Sequence, residues 1–102
     1  MDEVISLCKP VYTEDDIGND IETLQKRDVF AEVLSITQAE FFAAAQAGIR
    51  PEYKFKIWAG EYDGENHVEY NGILYDIYRS YKLEDSRMEL YCKSTVKTLG
   101  KE

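Results

Sequence analysis

Few residues in this chain have the type and spacing to do chemistry. His67 is the only histidine. If the Asn71-Gly72 dipeptide closes a two-residue hairpin, Tyr70 faces Ile73, Glu69 faces Leu74, Val68 faces Tyr75 and His67 faces Asp76. A His–carboxylate pair is therefore expected. A general-base role would also need a nucleophile or substrate group within reach, and a cross-strand polar pair is the simpler role. One histidine leaves too few ligands for a typical zinc site. Asp15, Asp16, Asn19 and Asp20 are oxygen donors, but their spacing fails the alternating pattern of an EF-hand loop, so they read as a solvated acidic loop. Cys8 and Cys92, near opposite ends, match no zinc or CxxC pattern and read as two reduced, half-buried thiols. No phosphate-binding glycine loop, nucleophile elbow or metalloprotease motif is present. The expectation is a protein that is not an enzyme, with no catalytic residues, cofactor or metal.

The elements that would position these residues are mainly strands. Val4–Tyr12 reads as a first strand, and Pro10 within it implies an edge position or a break in pairing. Ile21–Ile36 is extended, with a strand at Val29–Leu34. Tyr53–Ala59 alternates, placing Tyr53, Phe55, Ile57 and Ala59 on one face and Lys54, Lys56 and Trp58 on the other. Asp63-Gly64 signals a turn. The hairpin register puts Val68, Tyr70, Ile73, Tyr75 and Ile77 on one apolar face, and a one-residue slip would scramble it. Glu84-Asp85-Ser86 turns the chain into a last strand, Arg87–Val96, with Met88, Leu90 and Cys92 on one face. Thr98–Glu102 should fray. The fold expected is mainly β: a small antiparallel β-barrel or sandwich of five to six short strands with one inserted short helix, in a single domain over residues 1–102.

The helix signal lies at Thr37–Ala47. Thr37 and Glu40 form a capping box, and Ile36 can pack on Phe41 as a hydrophobic staple. The alanine-rich run to Ala47 favours helix, Gly48 stops it, and Pro51 follows. So short a helix is marginal alone and must dock on its own sheet or on a neighbouring subunit. Phe41 and Phe42 point about 100° apart on a helix. A small domain buries one easily, which leaves the other and the alanine stripe for an intersubunit contact, unless both tuck onto the sheet.

Charge excludes further classes. The formal net charge is −8, with 20 acidic residues against 12 scattered basic ones, so phosphate neutralisation is not available for gripping nucleic acid, and acidic membranes would repel the chain. An aromatic base-stacking sheet is disfavoured for the same reason. With no apolar leader and no apolar run near 18 residues, the chain is expected to be soluble and made in a cytoplasm.

The ordered features resemble a family. They are Asp15-Asp16-Ile17-Gly18-Asn19, Val29-Phe30-Ala31-Glu32-Val33, Ser35 to Ala44, Gly48-Ile49-Arg50-Pro51 and Tyr53-Lys54-Phe55. Then come Glu61-Tyr62-Asp63-Gly64-Glu65, Val68 to Gly72, Tyr75 to Tyr81 and Met88-Glu89-Leu90-Tyr91. This set resembles the phage head closure proteins, the head–tail connector or stopper proteins of tailed phages and prophages. The basic, Gly-closed ending common in that family is matched only loosely by the longer Lys93–Glu102 segment.

The resemblance implies a β-barrel subunit with a helix and loop insertion at residues 36–52. It implies assembly with itself as a ring, dodecameric in the assembled connector, below the portal and its adaptor protein. There it would retain packaged DNA without tight binding, receive tail terminator or tail proteins, and reside in the virion at the head–tail interface. It makes Gln38, Phe41, Phe42, Gln46, Arg50 and Glu52 the candidate intersubunit or channel-facing residues. An acidic surface beside a DNA channel would let the genome pass. The alternative is a free-standing acidic binding module, such as a DNA mimic that inhibits a host enzyme; scattered lysines argue against it.

Overall fold

The computed structural model describes residues 2–94. Among the described residues, six antiparallel strands form one sheet that closes on itself, with a single α-helix inserted. The strands are β1 (Asp2–Glu14), β2 (Asp20–Leu34), β3 (Pro51–Trp58), β4 (His67–Tyr70), β5 (Ile73–Lys82) and β6 (Arg87–Ser94); the helix α1 (Gln38–Gln46) lies between β2 and β3. Around the closed sheet the order is β1-β2-β3-β6-β5-β4, with β4 returning to β1. The expectation for residues Thr95 and Val96 in the last strand, and for fraying at Thr98–Glu102, lies outside the described residues.

Alternation fills the interior. Ile5, Leu7, Val29, Ala31, Phe55, Ile57, Val68, Tyr70, Tyr75, Met88, Leu90 and Cys92 form one buried cluster, joined by Tyr53, Ala59 and Ile77. Tyr53 packs edge-on against Tyr70 and Tyr75, each at 5.2 Å between ring centres, the offset geometry that ring quadrupoles favour. The β4–β5 hairpin has the register expected, from Tyr70↔Ile73 to His67↔Asp76. Asn71 and Gly72 take φ of 53° and 79°, the left-handed pair of a type I′ turn. Ile73 departs from its apolar face: it stands beside the turn and stays exposed.

Two expectations about length are corrected. The strands are not all short, since β1 has 13 residues and β2 has 15. They pair with each other along their whole length, across a tight turn at residues 15–19. Asp15 Oδ1 accepts from the amides of Ile17 (3.0 Å) and Asn19 (2.8 Å), so a turn that reads as a loop is a fixed Asx cap on a long hairpin. Pro10 does not break this pairing; it faces Leu24. It lies beyond Cys8, where β1 no longer pairs with β4, so its edge placement is as expected. The insertion is also shorter than 36–52. Pro51 and Glu52 already belong to β3, with a bulge between Pro51 and Tyr53.

Candidate assembly surfaces

The α1 insertion is built as its sequence indicates. The Thr37 hydroxyl accepts from the Glu40 amide (3.2 Å), and the Glu40 carboxylate accepts from the Thr37 amide (2.9 Å). At the other end Gly48, with φ 76°, lets its amide reach Ala45 O while the Ile49 amide reaches Ala44 O, a Schellman closure. Only Ala44 of the helix is buried.

What docks the helix is polar. Lys54 Nζ lies 3.0 and 3.1 Å from the two Glu40 oxygens, and Tyr91 Oη lies 2.8 Å from Glu40 Oε2 and 2.9 Å from Glu89 Oε1. The single phenolic proton serves one of those carboxylates at a time. Burial opposes ionisation of Glu40, but the Thr37 amide, Lys54, Tyr91 and the Thr37 hydroxyl together outweigh it and bring its pKa down from 4.5 to about 2. Tyr91 shifts the other way, pushed up by burial and by the two carboxylates. Glu40 therefore has a role its spacing announces, the capping box, and a second one that spacing does not: it ties the helix to β3 and β6.

All six candidate residues of the insertion, Gln38, Phe41, Phe42, Gln46, Arg50 and Glu52, are exposed. Neither alternative expected for the phenylalanines, one buried or both tucked onto the sheet, is found. Phe41 is 42% and Phe42 58% exposed, because Ala44 and Glu40, not either ring, face the sheet. Between α1 and the outer faces of β5 and β6 runs a groove of about 490 Å3, walled by Ala43, Ala44, Ala47 and Ile49 on one side and by Tyr78 and Tyr91 on the other. Arg79 stands at it, its guanidinium 4.8 Å from the Tyr91 ring centre. Among the described residues no carboxylate pairs with Arg79.

The second surface is one that sequence reasoning missed. Beyond Cys8 and before Val29, β1 and β2 have only each other for a partner, since β4 meets β1 only at Ser6–Cys8 and β3 meets β2 only at Glu32–Leu34. The result is a two-stranded arm that reaches about 20 Å beyond the barrel at 3.4 Å per residue. The radius of gyration, 15.3 Å, exceeds the roughly 13 Å of a compact domain of this length, consistent with such a projection. Its end carries Glu14, Asp15, Asp16, Asp20 and Glu22 and no Lys or Arg between Tyr12 and Glu22. Tyr12, Ile17 and Ile21 are exposed on it, Ile17 at 81%. The available signal was β-branched Thr13, Ile21 and Thr23 flanking a Gly18-Asn19 turn.

At the arm's root, Arg27 donates to Glu61 O and to Glu65 Oε2, the latter at 2.8 Å. Glu65 is buried and also accepts from the Asp63 amide, and these bonds overcome its desolvation to lower its pKa. Lys26 Nζ meets Glu69 Oε1 at 3.0 Å, spanning β1 above Cys8.

His67 and Asp76 face each other as expected, with Nδ1 and Oδ1 2.7 Å apart, although the contact is not aligned as a hydrogen bond. The register adds Cys8 beside His67, a row that superficially suits nucleophilic chemistry. Its thiol is fully buried, directed at Ser6 O, and held protonated by burial and by the Glu69 charge. Cys92 is likewise free and buried, its pKa pushed up to about 12. Among the described residues no helix is long and apolar enough to cross a membrane, and no group of His, Cys, Asp and Glu is arranged to hold a metal ion. A scan against protein-family models and a search of curated proteins found no match to this sequence.

Proposed function

We propose that this chain is a structural ring subunit of a phage head–tail connector, a head closure protein that docks below the portal adaptor and presents a surface to the tail. The observation that carries the reading is where the chain puts its exposed apolar side chains. Six of them lie on two projections from a closed barrel: Phe41 and Phe42 on the inserted helix, and Tyr12, Ile17, Ile21 and Leu24 on the arm. A third patch, Val4, Phe30 and Trp58, lies on the barrel wall with Arg87 stacked 4.5 Å over the indole. Exposed apolar groups on opposed projections suit a subunit whose neighbours lie on several sides. An isolated two-stranded ribbon is marginal in water, which adds to the case for a partner.

The net charge of −8 also supports passage of DNA past the subunit without adhesion. A DNA mimic would need its carboxylates spread along one face, whereas here five of the 20 gather at the arm's end, the others are distributed along the chain, and Lys9, Lys26 and Arg27 stand at the arm's root. The test is the particle population in lysates of a phage lacking this gene. Filled heads that leak DNA and carry no tails are expected; normal virions would overturn the reading.

A further inference from the structure

We propose that the end of the β1–β2 arm of one copy seats in the α1–β5–β6 groove of a neighbouring copy, with Ile17 entering the groove and Asp16 and Asp20 facing Arg79. This deepens the connector-ring reading and rests on it, because it names the contact that joins subunits.

Each half of the contact lacks what the other supplies. The arm end bears carboxylates with no cation among them, and Glu14 is paired directly across the ribbon with Asp20, a like-charge pairing that destabilises a hairpin. Asp15 is occupied in capping the turn, which leaves Asp16 and Asp20 exposed and available. Ile17 projects at the apex, 81% exposed. The groove offers the complement: an apolar trough of about 490 Å3 and, at it, the guanidinium of Arg79, which stacks on Tyr91 and has no carboxylate partner among the described residues. The groove's own acid, Glu40, has its charge balanced by Lys54 and accepts a hydrogen bond from Tyr91, so it does not repel an incoming carboxylate strongly.

Geometry selects a second copy as the occupant. The arm end and the helix insertion lie at opposite ends of β2, which runs from Asp20 to Leu34. Fourteen steps of about 3.4 Å separate them by roughly 45 Å, allowing for twist, so the arm as it stands cannot fill its own groove. The longest axis of the chain, 51 Å, accommodates that separation. A contact between two different patches at opposite ends of one molecule is heterologous, and heterologous contacts make rings when the rotation closes.

Cross-linking of the full-length chain tests this. Ile17→Cys and Ala47→Cys are made separately, mixed and mildly oxidised; the buried native thiols make the unsubstituted chain the blank. The mixture is expected to form a covalent dimer about tenfold faster than a mixture of Ile17→Cys with Glu84→Cys, which lies in the β5–β6 turn. Adding Arg79→Glu to the Ala47→Cys chain is expected to slow the link about five- to tenfold, and Asp16→Lys with Asp20→Lys on the arm partner to restore it. Equal rates for the 47 and 84 pairs, or no response to charge reversal, would overturn the proposal. The same link sought in phage particles separates the two readings. Connectors that contain this chain without a 17–47 link overturn the arm contact and leave the ring reading standing. A link in the purified chain, with particles that lack it because the chain is not in them, supports the contact and overturns the ring.

Discussion

Glu40 carries the most at the scale of single residues. It completes the capping box, accepts from Lys54 and Tyr91, and so fixes the helix on the barrel. Its folded pKa of about 2 lies below the ordinary 4.5. A carboxylate depressed on folding contributes stability that is fully present above about pH 4.5 and is lost as the pH falls from there toward 2. Glu40→Gln is expected to lower stability by about 1–2 kcal/mol at pH 7, since Lys54 keeps an acceptor but loses its counter-charge. The variant should also show a flatter loss of stability between pH 4.5 and 2; urea titrations across that range check both outcomes. The two thiols supply a second expectation. Burial holds both above their usual pKa and covers both sulfurs, so neither should react quickly with a thiol reagent in the native protein, and two should titrate in denaturant without reductant. Zero thiols at a monomeric mass would reveal a bridge and overturn the free-cysteine description.

At the scale of elements, turns and insertions decide the outcome. The β4–β5 hairpin depends on left-handed backbone at Asn71 and Gly72. Valine at position 72 must adopt φ near 79° against its branched Cβ, and Gly72→Val is expected to cost roughly 1 kcal/mol or more. Unchanged thermal stability would count against the turn type. The helix behaves differently. Phe42 is more than half exposed, so Phe42→Asp should shift stability by no more than about 0.5 kcal/mol, and under the proposed connector function it should prevent assembly on adaptor-bearing heads. Circular dichroism and electron microscopy of capsids mixed with the variant read the two effects separately. Under that proposal, a Phe42→Asp variant that assembles on heads as well as the unsubstituted chain would remove the insertion from the assembly surface.

The whole molecule divides into a closed barrel with a dense aromatic interior and an arm with no interior at all. Stability should divide in the same way. Amides of residues 10–26 are expected to exchange with solvent through local opening, orders of magnitude faster than those of β3 and β6, whose partners lie on both sides. Arm amides as protected as barrel amides would mean that the ribbon is already covered in solution, and their protection should then depend on protein concentration.

Local chemistry alone determined several parts of this protein. The capping box at Thr37 and Glu40, the stop at Gly48, the hairpin register set by Asn71-Gly72 and the inward row Phe55, Ile57, Leu90 and Cys92 all follow from neighbours in sequence. Capping, positive φ and period-two alternation need no distant partner. Mainly-β architecture with one inserted helix follows from the same signals. Tertiary structure alone decided the rest. The closed order of strands depends on β1 meeting β4, about sixty residues away, which no local pattern encodes. The fate of Phe41 and Phe42 depended on which helix face found a partner, and the buried Lys54–Glu40–Tyr91 contact turned that face toward the sheet. The arm was hidden for a related reason: the residues flanking Asp15–Asn19 pair only with each other, so they carry no apolar alternation, because there is no core beneath them to select it.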